Sequence, residues 1–414
     1  MSLADPQVNL TTATNLFKIK YGKLSENVYN SANVLLARVK KEHNFVGKQM
    51  SIAVPTSFGG GVGSGILPTA NAYNTADAQI LAKKMYARAE IDREAIKAAA
   101  TNEGSFVSQT KYTVQKAVES WMRNMSRTLF HNGSGSLGDG DGVTNVSGAG
   151  TTGSPYVVAL NDLTFNEAHW ENGDFVHYDA ESGTGALLEV VDLDPDSSPK
   201  TVSLVGVSVG LAALTGAGPV PVATFFYMQN SANNDPLGLL GTVEATSGSV
   251  YGITVDRRWQ GTVSNVAGAG LTTDRMNEVM LEVQRKSGKV PNLIVCSFLQ
   301  YRKLLNILED QKRYTLEPRM KDLKGKVSFS GVEFMSASGP VGVFPDRFCP
   351  AEKMYFLNDN FITIYHRPDF GWMDDDNTVF LRKADDDAYE ARYGGYLQTY
   401  IPPSFHGVLD NLAT

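Results

Sequence analysis

Carboxylates are the most concentrated reactive groups in the chain. Asp192, Asp194 and Asp196 alternate in DLDPDSSP, Asp374, Asp375 and Asp376 are consecutive, and Asp385, Asp386 and Asp387 follow shortly after. Such groups hold hard cations, or act as a catalytic pair, when a loop curls around them. The first set departs from the helix-loop-helix calcium pattern, because Ser197 and Ser203 stand where its sixth-place glycine and twelfth-place glutamate belong. It reads as a turn between strands. The two consecutive runs read as solvated turns, open to basic residues on another subunit, and Lys83, Lys84 and Arg88 are the expected partners. Exposed pairs of this kind contribute only about 0–1 kcal/mol each.

A second place for chemistry is the stretch SFGGGVGSG, in which Gly59, Gly60 and Gly61 are consecutive. It lacks the Gly-Lys-Ser/Thr of a phosphate loop, and Ser64 replaces the last glycine of G-x-G-x-x-G. It reads as a flexible tip and a contact between subunits. The six histidines are scattered, and H-E-x-x-H and paired C-x-x-C patterns are absent. Cys296 sits in the apolar run LIVCSF, where a thiol behaves as a small hydrophobe, and the only other cysteine is Cys349. No catalytic residue, cofactor or metal is expected, and a reducing compartment is.

The elements that position these residues are organised around one stretch, Ser105 to Asn132. Val107, Val114, Val118, Trp121, Met125 and Leu129 fall on one stripe of a helix roughly 40 Å long. Ser105 is the expected cap, Asn132-Gly133 the expected end, and Arg123 and Arg127 belong to the polar face. Before this helix comes an arm, residues 1 to 45. Its helix carries Val28, Ala32, Leu35, Leu36 and Val39, and its apolar side must rest on the remainder of the chain or on another copy. Residues 46 to 91 read as a long hairpin, with GKQMSIAVP outgoing and AQILAKKMYARAEI returning, which two strands alone cannot stabilise.

After His131 the composition NGSGSLGDGDGVTNVSGAGTTGSP is that of a mobile linker. Beyond it YVVAL, GDFVHYD, ALLEVVDLD, KTVSLVGV and ATFFYMQ alternate with turn residues, which predicts a small β barrel or sandwich. From Asp235 the pattern becomes α/β. A helix capped near Thr272 leads to the buried strand NLIVCS and a helix capped by Ser297, followed by GVEFMSA, GPVGVF and MYFLND. The last strands, FITIYH, TVFLRKA and YEARYGGYLQTYI, are expected beside the long helix.

Four hundred and fourteen residues with net charge −7 predict two or three soluble domains and argue against a protein that coats nucleic acid, which needs clustered Lys and Arg. The uncharged stretch Thr201 to Gln229 is broken by glycines and prolines, so it reads as two buried strands and not as a membrane span. The N-terminus shows no secretory pattern, and the cytosol is the expected site of synthesis.

In this order the chain resembles the major capsid proteins of tailed bacteriophages, whose fold encapsulin shells share. LFHNGSGS looks like the first half of a family connection that resumes at NDPLGLLGTVEA, with the β-rich insert splitting it. NTVFLRKADDDAYEARYGGYLQTYIPPSFHGVL is similar to the family's closing strands and proline turn. The resemblance implies an α+β tailed-phage major-capsid fold. Its parts would be an N-terminal arm (1–45), an extended β-hairpin loop (46–91), a peripheral domain with a long spine helix (92–136 and 355–400), an inserted small all-β domain (137–234) and an axial α/β domain (235–354 and 401–414).

By the same resemblance the protein is a homo-oligomer of pentamers and hexamers, an icosahedral shell around double-stranded DNA, located in the virion and assembled in host cytoplasm. Arms and loops would lap over adjoining subunits. The implied partners are a separate scaffolding protein, a portal protein and a decoration protein, with packaged DNA bound without sequence preference. Covalent joining through a loop lysine is not expected, because SFGGGVGSG has none. Two rival functions are an insert that recognises a glycan, host surface or decoration protein, and an enzyme built on the aspartate clusters.

Overall fold

The computed structural model describes residues 33–43, 45, 47–56, 65, 74–92, 103–162, 164–178, 186–207, 219–221, 224–310, 332–336, 339–373, 381–383 and 387–413. The first described helix, α1 (Val34–Arg38), is the end of the arm. Val34, Leu35, Leu36 and Val39 are buried in the main core, so this part of the arm rests on its own chain.

Helix α2 (Glu103–Phe130) is the long central helix, about 42 Å at 1.5 Å per residue. It begins two residues before Ser105, which therefore lies inside its first turn and does not cap it. Val118, Trp121, Met125 and Leu129 are buried along one stripe, as their spacing predicts. Gly133 takes φ +83° just beyond its end, a conformation that costs glycine little.

A sheet lies against α2. Its centre is the strand Ala388–Tyr400, paired on one edge with Thr363–Trp372 and Leu381–Arg382 and on the other with Lys83–Asp92; Lys40–Glu42 adds in parallel beyond Thr363–Trp372. Alternation turns Ala87, Ala89, Ile91, Ala391, Tyr393 and Leu397 toward the helix. Trp121 meets Tyr393 edge-on at 5.4 Å, and its indole N–H donates to the Met85 carbonyl at 3.3 Å.

The limb that returns from the glycine tip is therefore two strands. Thr75–Leu81 pairs with Gln49–Pro55 as the hairpin, while Lys83–Asp92 leaves it for the sheet on α2. Near its base the hairpin buries Ala78 and Ile80 with Tyr251, Trp259 and Tyr365 of the same chain. The glycine tip itself lies outside the described residues.

The glycine-rich stretch after α2 is not a linker. Ser136–Asp139 is a strand with Leu137 buried, and it joins Phe225–Met228, Phe175–Tyr178, Ala186–Asp194, Thr201–Gly206 and Tyr156–Ala159 in that order. The two outer strands also meet: Asn161 N–H donates to Asp139 O at 2.9 Å, and Gly140 bridges Leu160. The sheet thus closes into a six-stranded barrel filled by Val158, Leu160, Val176, Leu188, Val190, Val202, Leu204 and Phe226. Gly150 shows why the composition misleads, since a Cβ there would stand 2.1 Å from the Tyr156 ring.

The short helix α3 (Leu239–Thr242) follows the barrel and packs Leu239 on α2. Helices α4 (Thr273–Ser287) and α5 (Phe298–Asp310) start where predicted, with Thr272 Oγ1 accepting from Arg275 N and Ser297 Oγ from Gln300 N, each at 3.3 Å. They accompany a mixed sheet ordered Thr262–Asn265, Gly407–Asp410, Met354–Leu357, Leu293–Cys296, Gly339–Pro345, Val332–Ser336. Both faces are covered. Ile294, Cys296, Met354, Phe356 and Leu409 pack with α4, while Leu293, Val295, Tyr355, Leu357 and Val408 enter the core that contains α2. Met354–Leu357 lies wholly in this sheet, so the expected boundary between residues 354 and 355 falls inside a strand. Among the described residues no helix is long and apolar enough to cross a membrane.

Candidate functional site

The most developed polar site is the junction between α2 and the barrel. Arg123, Arg127 and His131 recur every four residues and form one row along the helix, beside the apolar stripe. This part of the polar face is not open to water, because the barrel and its outgoing segment cover the row. Arg123 Nη2 donates to both oxygens of Asp174, at 2.6 and 2.8 Å, and Nη1 reaches Glu171. Arg127 Nη2 donates to Asp235 Oδ2 at 2.8 Å with both side chains at least nine-tenths buried. The other Asp235 oxygen accepts the Ser231 hydroxyl. His131 Nε2 and His169 Nδ1 face each other at 3.3 Å, and His169 stacks near Phe348.

Burial sets the protonation of this pair. It holds His131 well below the ordinary histidine value, with His169 and Arg127 adding repulsion. Burial and Arg127 push His169 down to about 3. Both rings are neutral at physiological pH, so the junction is one ion pair, one bifurcated arginine contact and an uncharged imidazole pair. A second buried site ties the mixed sheet to the segment after α3. Lys353 Nζ donates to Glu244 Oε2 at 2.5 Å and to Asp410 Oδ1 at 2.8 Å, and the Tyr355 hydroxyl donates to Glu244 Oε1 at 2.6 Å.

The contact candidates read from sequence are dispersed. Lys83 Nζ donates to the Asn233 carbonyl at 2.9 Å, Lys84 stands 5.7 Å over the Tyr396 ring, and Arg88 pairs with Glu390 at 2.6 Å. All three are on the strand Lys83–Asp92, not on the hairpin, and each already has a partner within the chain. Gly59, Gly60, Gly61, Asp374, Asp375 and Asp376 lie outside the described residues. Asp194 Oδ1 accepts from the Asp196 and Ser197 amides at 3.2 Å, the geometry of a turn. Both cysteines are free and buried, and burial raises Cys296 to about 12, far from a reactive thiolate. Among the described residues no group of three or more His, Cys, Asp or Glu side chains is arranged to hold a metal.

The sequence places Arg123 and Arg127 on the polar face of the helix without naming their partners, and points to no role for His131 and His169. The available signal was the four-residue repeat of basic and imidazole side chains, followed by an insert with many carboxylates. These sites hold elements to one another, and none pairs a nucleophile with a base. A long helix, a covering sheet, a doubly packed mixed sheet and a projecting hairpin together define a structural subunit.

The model of the SU10 major capsid protein family matches residues 71–372, and the chain belongs to that family. It is a structural protein of a virion, and its copies self-assemble into an icosahedral shell. No curated protein sequence matches it. Among solved structures, a chain of the cyanophage A-1(L) capsid asymmetric unit is similar in fold, with 14% identity, coverage of 95% of this chain and 93% of that one, and a TM-score of 0.50. More distant are the holo-SrpI encapsulin complex of Synechococcus elongatus PCC 7942 (8% identity, 90% and 85% covered, TM-score 0.43) and the virus-like particle of Pyrococcus furiosus (8%, 95% and 99%, 0.43).

Proposed function

We propose that the subunit builds pentamers and hexamers of a shell that encloses double-stranded DNA, with the mixed-sheet region (235–357 and 401–414, the boundary moved past the strand Met354–Leu357) as the axial domain. In this reading α2 is the spine of a peripheral domain (83–136 and 358–400), and the hairpin built on Gln49–Pro55 and Thr75–Leu81 laps over an adjoining subunit. The hairpin carries the proposal. Its strand Gln49–Pro55 has no fully buried residue, and Thr75, Asp77, Gln79 and Leu81 alternate outward on its partner, with Leu81 47% exposed. A two-stranded ribbon so open is marginal by itself and gains stability from a neighbour's surface.

Assembly takes place in the host cytoplasm with a separate scaffolding protein and a portal. Lys83, Lys84 and Arg88 retain a role between subunits only if they exchange their present partners. Replacing residues 57–73 by a two-glycine link tests the reading. Sedimentation and negative-stain imaging should show folded subunits without closed particles, and intact shells would refute it.

A second reading gives the barrel a recognition role, toward a decoration protein, glycan or host surface. Its favouring observation is a closed barrel with a core of its own. Pull-down from phage structural proteins, with and without residues 135–232, tests it.

A further inference from the structure

The barrel differs from the rest of the chain in charge. Residues 137–234 contain twelve aspartates and glutamates against the single Lys200, a formal −11, whereas the other 316 residues carry +4.

Its outer wall also carries apolar side chains where alternation calls for polar ones. Val176, Leu188, Val190 and Leu204 point inward and are buried, so their strand neighbours point out. Register aligns Phe175 with Glu189 and Glu189 with Val205; beside them His177 faces Leu187, whose carbonyl accepts from the Val207 amide. Phe175, Val191 and Val207 are 41%, 39% and 48% exposed. This makes an apolar strip across three strands, with Glu189 at its centre and the exposed Asp192 and Asp194 beyond it.

The strip begins where the arm arrives. Asn33 and residues 171–174 line one groove of about 410 Å³ between α2 and the barrel, and Phe175 is the next residue. Upstream, Phe17-Lys18-Ile19-Lys20-Tyr21 alternates apolar and basic residues, with Lys23 close behind. An extended chain of this sequence has one apolar and one cationic side. The nine steps from Leu24 to Asn33 span about 14 Å as the helix the sequence predicts there and up to about 30 Å if extended.

We propose that Phe17–Tyr21 docks on the barrel strip of its own subunit. Phe17, Ile19 and Tyr21 cover Phe175, Leu187, Val205 and Val207, while Lys18 and Lys20 lie in the negative field of the barrel, within a Debye length of about 10 Å. This gives the arm a different resting place from the neighbouring subunit that the capsid resemblance implied, and couples the insert to the arm.

The test uses unassembled full-length subunits, so it is separate from any failure to form shells. An Ile19→Cys, Val205→Cys variant is oxidised mildly; Cys296 and Cys349 are buried and do not compete. The expected product is a cross-link within one chain, mapped to residues 19 and 205. No cross-link, or one between chains, overturns the proposal. Independently, a Phe175→Ser, Glu189→Lys, Val207→Ser variant should speed trypsin cleavage after Lys23 about tenfold, because cleavage follows the undocked population. Lys18→Glu with Lys20→Glu, which leaves the barrel untouched, should do the same. An unchanged rate in both variants overturns the proposal.

Discussion

The amide of Asn233 donates to the carbonyl of Ser134 across 2.7 Å, although the whole barrel lies between them in sequence. The chain enters and leaves the barrel at one point. The resemblance between LFHNGSGS plus NDPLGLLGTVEA and one uninterrupted family connection therefore has a physical counterpart, since the two halves are already adjacent.

Excision should consequently be tolerated. A chain lacking residues 135–232, with Ser134 joined directly to Asn233, keeps Asp235 for Arg127 and exposes Arg123 to water instead of leaving it buried and unpaired. It should fold and melt cooperatively by circular dichroism and still form shells by sedimentation. A molten or insoluble product would show that the barrel is required to complete the main core.

The Arg127–Asp235 pair behaves differently, because its charges stay buried whichever one is removed. Asp235→Ala should cost about 3–5 kcal/mol by leaving an uncompensated guanidinium. Arg127→Met combined with Asp235→Leu should recover most of that loss. Urea unfolding of the two single variants and the double variant measures it. Equal losses in all three would mean that the pair contributes through packing alone.

Elements with one dominant periodicity were legible in the sequence. The stripe through Trp121 and Met125, the run LIVCSF and the caps Thr272 and Ser297 each reflect a local rule that tertiary structure obeys. Failures came where distant partners decide. Lys83–Asp92 reads as the continuation of Thr75–Leu81, and only the presence of Ala388–Tyr400 explains why it turns away. The glycine-rich stretch reads as mobile because composition does not reveal that the Tyr156 ring leaves no room for a side chain at residue 150. Arg127 reads only as part of a polar face because Asp235, its partner, comes after the barrel in sequence.

Gly238 offers a test of close approach at the end of α2. A Cβ there would lie 2.2 Å from the Thr128 carbonyl oxygen and 2.6 Å from those of Leu129 and His131, all backbone atoms that cannot swing aside. Gly238→Ala should cost about 1–3 kcal/mol from overpacking. Gly270→Ala, where nothing lies within 4 Å, should be nearly silent. Thermal melts of the two variants compare them directly, and equal shifts would remove the steric explanation.

Stability should fall in acid because of buried neutral histidines. His169 and His406 are both held at about 3, His169 by burial and Arg127, His406 by burial alone, against an ordinary value of 6.5. The unfolded chain therefore binds their protons first. Their contribution is complete above about pH 6.5 and declines as pH drops from there toward 3, by about 1.4 kcal/mol per pH unit for each ring. His406 Nδ1 accepts the Asn358 amide at 3.2 Å, a bond that requires the unprotonated nitrogen. Urea unfolding of unassembled subunits between pH 6.5 and 4.5 should give a steep fall in stability, and His406→Asn should reduce the slope by about one proton whatever its effect on stability at pH 7. A slope unchanged by this substitution would show that His406 titrates alike in the folded and unfolded chain.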